Sequence, residues 1–282
     1  LPGVAFSSPL QVKVTDGCGT GNAISGATVT YAAPPSGATA SLSSGTATTN
    51  ASGVASITAT AGSTGGSYTV SASVDGAASA ASFELTNTAG PPASIAASSG
   101  ASQQATVGAA FGSALKVHVA DSSGTPSSGA TVTFTAPSSG ASATLSGATA
   151  TTDANGDAFV SATANSASGA YDVTASVSGV SPSATFHLEN LAGAATSIAV
   201  VSGGGQSATV LGSFASPLAV LVSDAFGNPV PSALVSFAAP SSGASATLGA
   251  GSATTNTSGV SAVLATANTS AGSYEVVASL GG

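Results

Sequence analysis

Apolar and polar residues alternate with a period of two along most of this chain, in short runs separated by small and turn-forming residues. That period places every second side chain on one face of an extended strand. In the middle third it predicts strands over 93–98, with 104–107 as a short continuation, then 114–120, 130–135, 142–145, 158–164, 169–176 and 184–188. Leu115, Val117 and Val119 share one face of their strand, and Lys116 and His118 share the other. Val132, Phe134, Phe186 and Leu188 point inward, which leaves His187 and Glu189 outside. Ala136-Pro137-Ser138-Ser139-Gly140 and Asp153-Ala154-Asn155-Gly156 read as turns, because glycine adopts the positive φ that a side chain resists. No stretch joins helical spacing to the length of a major helix. Seven or eight short strands predict two antiparallel sheets packed face to face.

The same pattern is written three times. Tyr31, Phe134 and Phe237 lie in ATVTYAAPPSGA, ATVTFTAPSSGA and ALVSFAAPSSGA, each 103 residues after the last. Gly53, Gly156 and Gly259 keep that interval, and so do Tyr68, Tyr171 and Tyr274. Asp16, Asp121 and Asp224 follow Val-rich strands at intervals of 105 and 103, so a two-residue insertion, containing Cys18, lies in the first loop of the first unit. A period near 100 is too long for a solenoid repeat and suits one self-contained sandwich. The predicted modules are 1–90, lacking its first strand, 91–193, complete, and 194–282, lacking its last strand. That phasing matches Val4 to Val107 and Val210, and Leu280 to Val177. The simplest reading is a window onto a longer array; the alternative is a subunit whose open edges are filled by a neighbour's strand. The connections Asn87-Thr88-Ala89-Gly90-Pro91-Pro92 and Asn190-Leu191-Ala192-Gly193 are too short for a flexible tether, so the modules should form an elongated, semi-rigid rod.

Composition narrows the class. The chain is 43% hydrophobic, which excludes disorder, yet only 5% aromatic with no Met or Trp, so each core is thin. Two basic residues against ten acidic ones give a formal charge of −8. An anionic chain nearly devoid of cations is a poor partner for nucleic acid or an acidic membrane, and no apolar run is long enough to insert into a bilayer. The single Cys18 forbids an intramolecular disulfide and is either inert or an intermolecular crosslink.

The order of these strings resembles the group-one bacterial immunoglobulin-like repeats of intimin- and invasin-type surface adhesins. The third unit carries it best, in Asp224-Ala225-Phe226-Gly227-Asn228-Pro229, Val235-Ser236-Phe237, Gly259-Val260 and Gly272-Ser273-Tyr274. The second unit has Thr125-Pro126 where the Asn-Pro pair stands, and in the first Asn22 is not followed by proline. The resemblance implies an all-β protein of tandem immunoglobulin-like Greek-key sandwiches. It also implies a structural spacer, stalk or extracellular fibre segment at the cell surface or secreted. Its partners would be neighbouring repeats or copies of itself, with any host or surface receptor engaged by domains elsewhere. The alternatives are a filament subunit completed by strand exchange and a glycan- or receptor-binding array.

Individual residues point to structure rather than chemistry. His118 and His187 face outward with no Asp at a suggestive spacing, so no catalytic site is expected. Asp16, Asp121 and Asp224 should accept backbone N–H groups in their turns. Calcium is the alternative at Asp121, with Asp153 and Asp157 as further carboxylates, but only the second unit has that set. No other cofactor is implied. Tyr31, Phe134 and Phe237 belong to the cores, Gly53, Gly156 and Gly259 to tight turns. Tyr68, Tyr171 and Tyr274 should act as corner pins whose hydroxyls bond to backbone.

Overall fold

A computed structural model describes residues 1–17 and 21–281; Cys18 lies outside the described residues. The middle module holds the complete strand set. Its smaller sheet places Leu115–Asp121 between Pro92–Ser99 and Asp157–Val160, both antiparallel to it. Its larger sheet runs in the order Ser102–Thr106, Ala184–Leu191, Gly169–Val177, Thr131–Thr135, Thr149–Thr151. A short antiparallel pair, Ala143–Leu145 with Ala162–Ala164, closes one side.

Period-two alternation becomes burial directly. Leu115, Val117 and Val119 of the smaller sheet meet Val132, Val173, Phe186 and Leu188 of the larger one in a single core. Phe134 and Phe186 lie 6.3 Å apart at their ring centres. The first and third modules build smaller cores of their own around Val29, Tyr31 and Val70 and around Val222, Val235 and Phe237.

Two sequence readings are corrected. The segment read over 104–107 does not continue the first strand in the same sheet. Ser102–Thr106 crosses to the larger sheet and runs parallel to Ala184–Leu191, so that sheet is mixed rather than wholly antiparallel. Gly100, at φ +73°, turns the chain, and Gln103 ties the crossover down. Its Nε2 donates to the Gly100 and Ser113 carbonyls, and its Oε1 accepts the Ser113 N–H. Gln206 repeats the tie in the third module. The second correction is one of register. Gly3 donates to Ala61 O as Gly108 does to Ala164 O, and the Val4 and Ala109 carbonyls accept from Ala61 and Ala164. Val4 therefore corresponds to Ala109 and not to Val107, because the two-residue insertion lies downstream and shifts everything before it.

The outer modules carry fewer strands among the described residues. In the first, Leu10–Lys13 pairs only with Val54–Ile57, and the larger sheet is Thr46–Thr48, Thr28–Ala32, Gly66–Val74, Ala81–Asn87. In the third, Ser197–Ser202, Leu218–Ser223 and Val260–Val263 form one sheet and Ser252–Thr254, Leu234–Ala238 and Val277–Leu280 the other. Counterparts of Ser102–Thr106 and Ala184–Leu191 are not among its strands.

The three sandwiches form an elongated rod. The accessible surface is 14350 Å², whereas a compact monomer of 25.7 kDa would show about 10,400 Å². Every described inter-module hydrogen bond joins adjacent modules.

Candidate functional site

The junctions between modules gather most of the repeated polar residues. Each begins with the tight turn that precedes a core strand. Asn50, Asp153 and Asn256 accept, through Oδ1, the N–H groups two and four residues ahead, at 2.8–3.0 Å. Gly53, Gly156 and Gly259 close these turns at φ +73°, +76° and +72°. Their carbonyls accept from Val14, Val119 and Val222, each at 2.8 Å. A Cβ at Gly53 would stand 2.6 Å from Val14 O, and one at Gly259 2.7 Å from Val222 O, so no side chain fits this approach.

Those valines lead to the three aspartates. Asp121 is buried and its carboxylate takes N–H bonds from Ser123 and Thr125 of its own loop and, at 2.8 Å, from Gly90 of the linker. Asp224 repeats this with Phe226, Asn228 and Gly193, and adds the Asn228 Nδ2 at 2.9 Å. Burial alone would raise the pKa of Asp224, but the bonds from Asn228, Gly193 and Phe226 outweigh it and hold it at about 2. Asp121 is likewise held below its ordinary value against burial, by Gly90, Thr125 and Ser123. In the first module Asp16 accepts the Asn22 backbone N–H and its Nδ2, both at 3.0 Å. Asn22 thus occupies the position of Asn228 despite the insertion.

The opposite face of each junction is set by the tyrosines. Tyr68 and Tyr171 donate not to backbone, as the sequence suggests, but to the Oδ1 of Asn87 and Asn190, each at 3.0 Å. Asn190 is 1% exposed, and its Nδ2 reaches Ser142 O, Ala167 O and Asn165 Oδ1 at 2.9–3.0 Å. Asn87 reaches Thr39 O, Thr64 O and Gly62 O in the same manner. These asparagines are the last inward residues of the final strand, and they fix the loop that meets the next module. The contact follows at once. Asn228 Nδ2 donates to Ser166 O at 2.8 Å, and Ser168 N donates back to Asn228 Oδ1 at 2.9 Å. At the first junction Thr125 Oγ1 donates to Ser63 O. A continuous polar path therefore runs from the core of one module, through Tyr171, Asn190 and the 165–168 loop, to Asn228, Asp224 and the linker.

The remaining candidates lie apart from this path. Tyr31, Phe134 and Phe237 are buried in their cores, and Tyr31 donates to Ala55 O across the two sheets at 3.1 Å. His118 and His187 do have carboxylate partners, contrary to the sequence reading. Asp157 stands 3.0 Å from His118 and 2.6 Å from Lys116, and Asp172 stands 2.7 Å from His187. Both pairs are formed across neighbouring strands. Asp121, Asp153 and Asp157 do not form a calcium cage: Asp121 and Asp153 are taken up by backbone N–H groups and Asp157 by Lys116 and His118. Among the described residues no group of three or more His, Cys, Asp or Glu could hold a metal ion, and no helix is long and apolar enough to cross a membrane.

Residues 112–189 match the bacterial Ig-like domain family, group 1. The middle module is of that type. Over the whole chain the fold is similar to that of FdeC, an Escherichia coli adhesin, with TM-score 0.51, 18% identity, and coverage of 99% of this chain and 88% of that one. It is also similar to Yersinia pseudotuberculosis InvD, with TM-score 0.51, 16% identity, and coverage of 97% and 83%. No curated protein matches the sequence. The likeness to both structures is one of fold: tandem Ig-like sandwiches in a row.

Asn87, Asn190, Asn228 and Thr125 were not singled out as functional by sequence reasoning. Neither were Thr49, Thr152 and Thr255, each buried and bonded to the loop after its aspartate. The threefold recurrence of Thr at that point of the repeat was the available signal.

Proposed function

We propose that this chain is a spacer segment of a bacterial cell-surface or secreted protein, made of modules 1–90, 91–193 and 194–282, that holds other domains at a distance. The observation that carries this reading is the repeated junction. The same aspartate binds the linker at Gly90 and at Gly193, and the residue four positions on reaches back to the preceding module. Bonds of this kind restrict the angle between modules. Any receptor would be met by domains elsewhere, and neighbouring repeats are the partners of this segment. Structural asparagines, aspartates and tyrosines at the junction serve orientation.

The test is small-angle X-ray scattering on the segment. Sandwiches of about 35–45 Å each, from strands rising about 3.4 Å per residue plus loops, give a maximum dimension well over 100 Å. A compact particle of about 60 Å would remove the spacer reading. Replacing Thr125 and Asn228 with alanine should keep the module cores but broaden the distance distribution.

A further inference from the structure

The turn that sets Gly156 against Val119 contains a reactive dipeptide. Asn155 is exposed and is followed by a residue without a side chain, so nothing on Gly156 screens its backbone nitrogen from the Asn155 carboxamide. Of the asparagines in the chain, Asn155 is the one that precedes glycine. The sister turns carry Ser52 before Gly53 and Ser258 before Gly259, and serine has no carboxamide to react.

In the folded module this chemistry is held off. Gly156 N donates to Asp153 O at 3.0 Å, and Asn155 N and Asp157 N donate to Asp153 Oδ1 at 2.8 and 3.0 Å. The nitrogen that would attack is thus tied to a carbonyl three residues back, and the backbone on both sides of it is pinned. The same turn has no room for a longer chain. Gly156 is buried at φ +76°, and its carbonyl accepts from Val119 N at 2.8 Å. A Cβ placed on it would run into Val119 O and stand 3.1 Å from Pro126 Cβ.

We propose that Asn155-Gly156 is a self-modification site that reacts when the middle module opens and then keeps that module from closing. Gly156 N loses its proton to water and attacks Asn155 Cγ. The N–Cγ bond forms, the Cγ–Nδ2 bond breaks, and Nδ2 leaves as ammonia. Water then opens the cyclic imide at one of its two carbonyl carbons. Addition at Cγ gives aspartate, which the exposed position accepts. Addition at the main-chain carbonyl carbon gives isoaspartate, whose backbone runs through Cβ and Cγ and is one carbon longer. The extra carbon falls between the two bonds that define the turn, so Gly156 can no longer serve both Asp153 O and Val119 N. The step consumes only water, and it leaves a permanent record that the module has been open. The inference stands whether or not the segment serves as a spacer.

The test ages the whole chain in mildly alkaline buffer, folded in one sample and unfolded by guanidinium chloride in the other, and then returns both to native buffer. Mass spectrometry of digests follows Asn155, isoaspartyl methyltransferase labelling counts isoaspartate, and hydrogen exchange reads the Val119 amide. Asn155 should convert at least about tenfold faster unfolded than folded, because a reaction through an opened state follows the population of that state. After refolding, the fraction of chains with an unprotected Val119 amide should match the fraction carrying isoaspartate at 155. Asn155→Ser, which installs the residue of the sister turns, should refold with Val119 protected after the same ageing. No conversion in the unfolded chain, or equal conversion in both samples, would overturn the proposal. So would full Val119 protection in chains carrying isoaspartate, or the same loss of protection in aged Asn155→Ser.

Discussion

Asn228 bonds at once to Asp224 of its own loop and to Ser166 of the preceding module, both through the same Nδ2, at 2.9 and 2.8 Å. One amide thus joins the turn that holds the linker to the loop that receives it. Thr125, in the equivalent place, has a single hydroxyl, and among the described residues its one hydrogen bond across the boundary is to Ser63 O. The second junction is therefore the more heavily tied. Alanine at Asn228 should loosen the rod at that point more than alanine at Thr125 does at the first, as read by the distance distribution between spin labels on adjacent modules.

Asn190 should be the most sensitive polar residue of the middle module. Asn190→Ala leaves the Tyr171 hydroxyl and the Ala167 carbonyl without this partner, while the Ser142 carbonyl keeps the Asn165 N–H. The expected loss is about 2–4 kcal/mol, since buried polar groups left unsatisfied cost about 1–3 kcal/mol each and share this site. Urea denaturation measures it. Asn190→Asp retains the acceptor for Tyr171 but not the donor, and should recover only part.

Glycine at the turn is required by approach as well as by φ. Gly259→Ala sets a Cβ 2.7 Å from Val222 O and 2.9 Å from Pro229 Cβ at φ +72°. A loss of about 2–4 kcal/mol in the third module is expected. Gly227→Ala, also at positive φ but with open space around it, should lose about 1 kcal/mol. Thermal melts of the two variants separate crowding from backbone conformation.

Acid should weaken the second junction. The pKa of Asp224 in the folded chain is about 2, below its ordinary 3.8. A depressed carboxylate contributes stability that is fully present above the unfolded value and is lost as pH falls through the folded one. The loss should therefore begin below about pH 5, be largely realised near pH 2 and complete only below it, and Asp224→Asn should abolish that part of the pH dependence. Denaturation midpoints between pH 6 and 2 provide the check.

The repeat and its strands were legible because alternation survives in Val117, Val119, Phe134 and Phe186, whose burial depends only on period. The junction was legible in part. Asp121 and Asp224 declared themselves by position in a Gly-containing turn, where local geometry decides the bonds. What alternation cannot express is which sheet a strand joins, so the crossover at Gly100 was read as a continuation. Nor does it express pairing between strands. Asp157 meets His118 and Asp172 meets His187 only because registers bring them opposite. Asn190 looks like any polar residue ending a strand until Tyr171 is seen beside it. The Val4 register failed for a simpler reason, an insertion further along the chain.

The parallel run of Ser102–Thr106 beside Ala184–Leu191 bears on how the middle module carries tension. The chain enters through Pro92–Ser99, bonded along its length to Leu115–Asp121, and leaves through Ala184–Leu191, bonded on both flanks. Entry and exit strands thus point the same way in opposite sheets. A pull on the two ends drags each strand lengthwise past its neighbours, so that its rungs resist together instead of peeling one at a time. Such a module should yield late and abruptly under stretch.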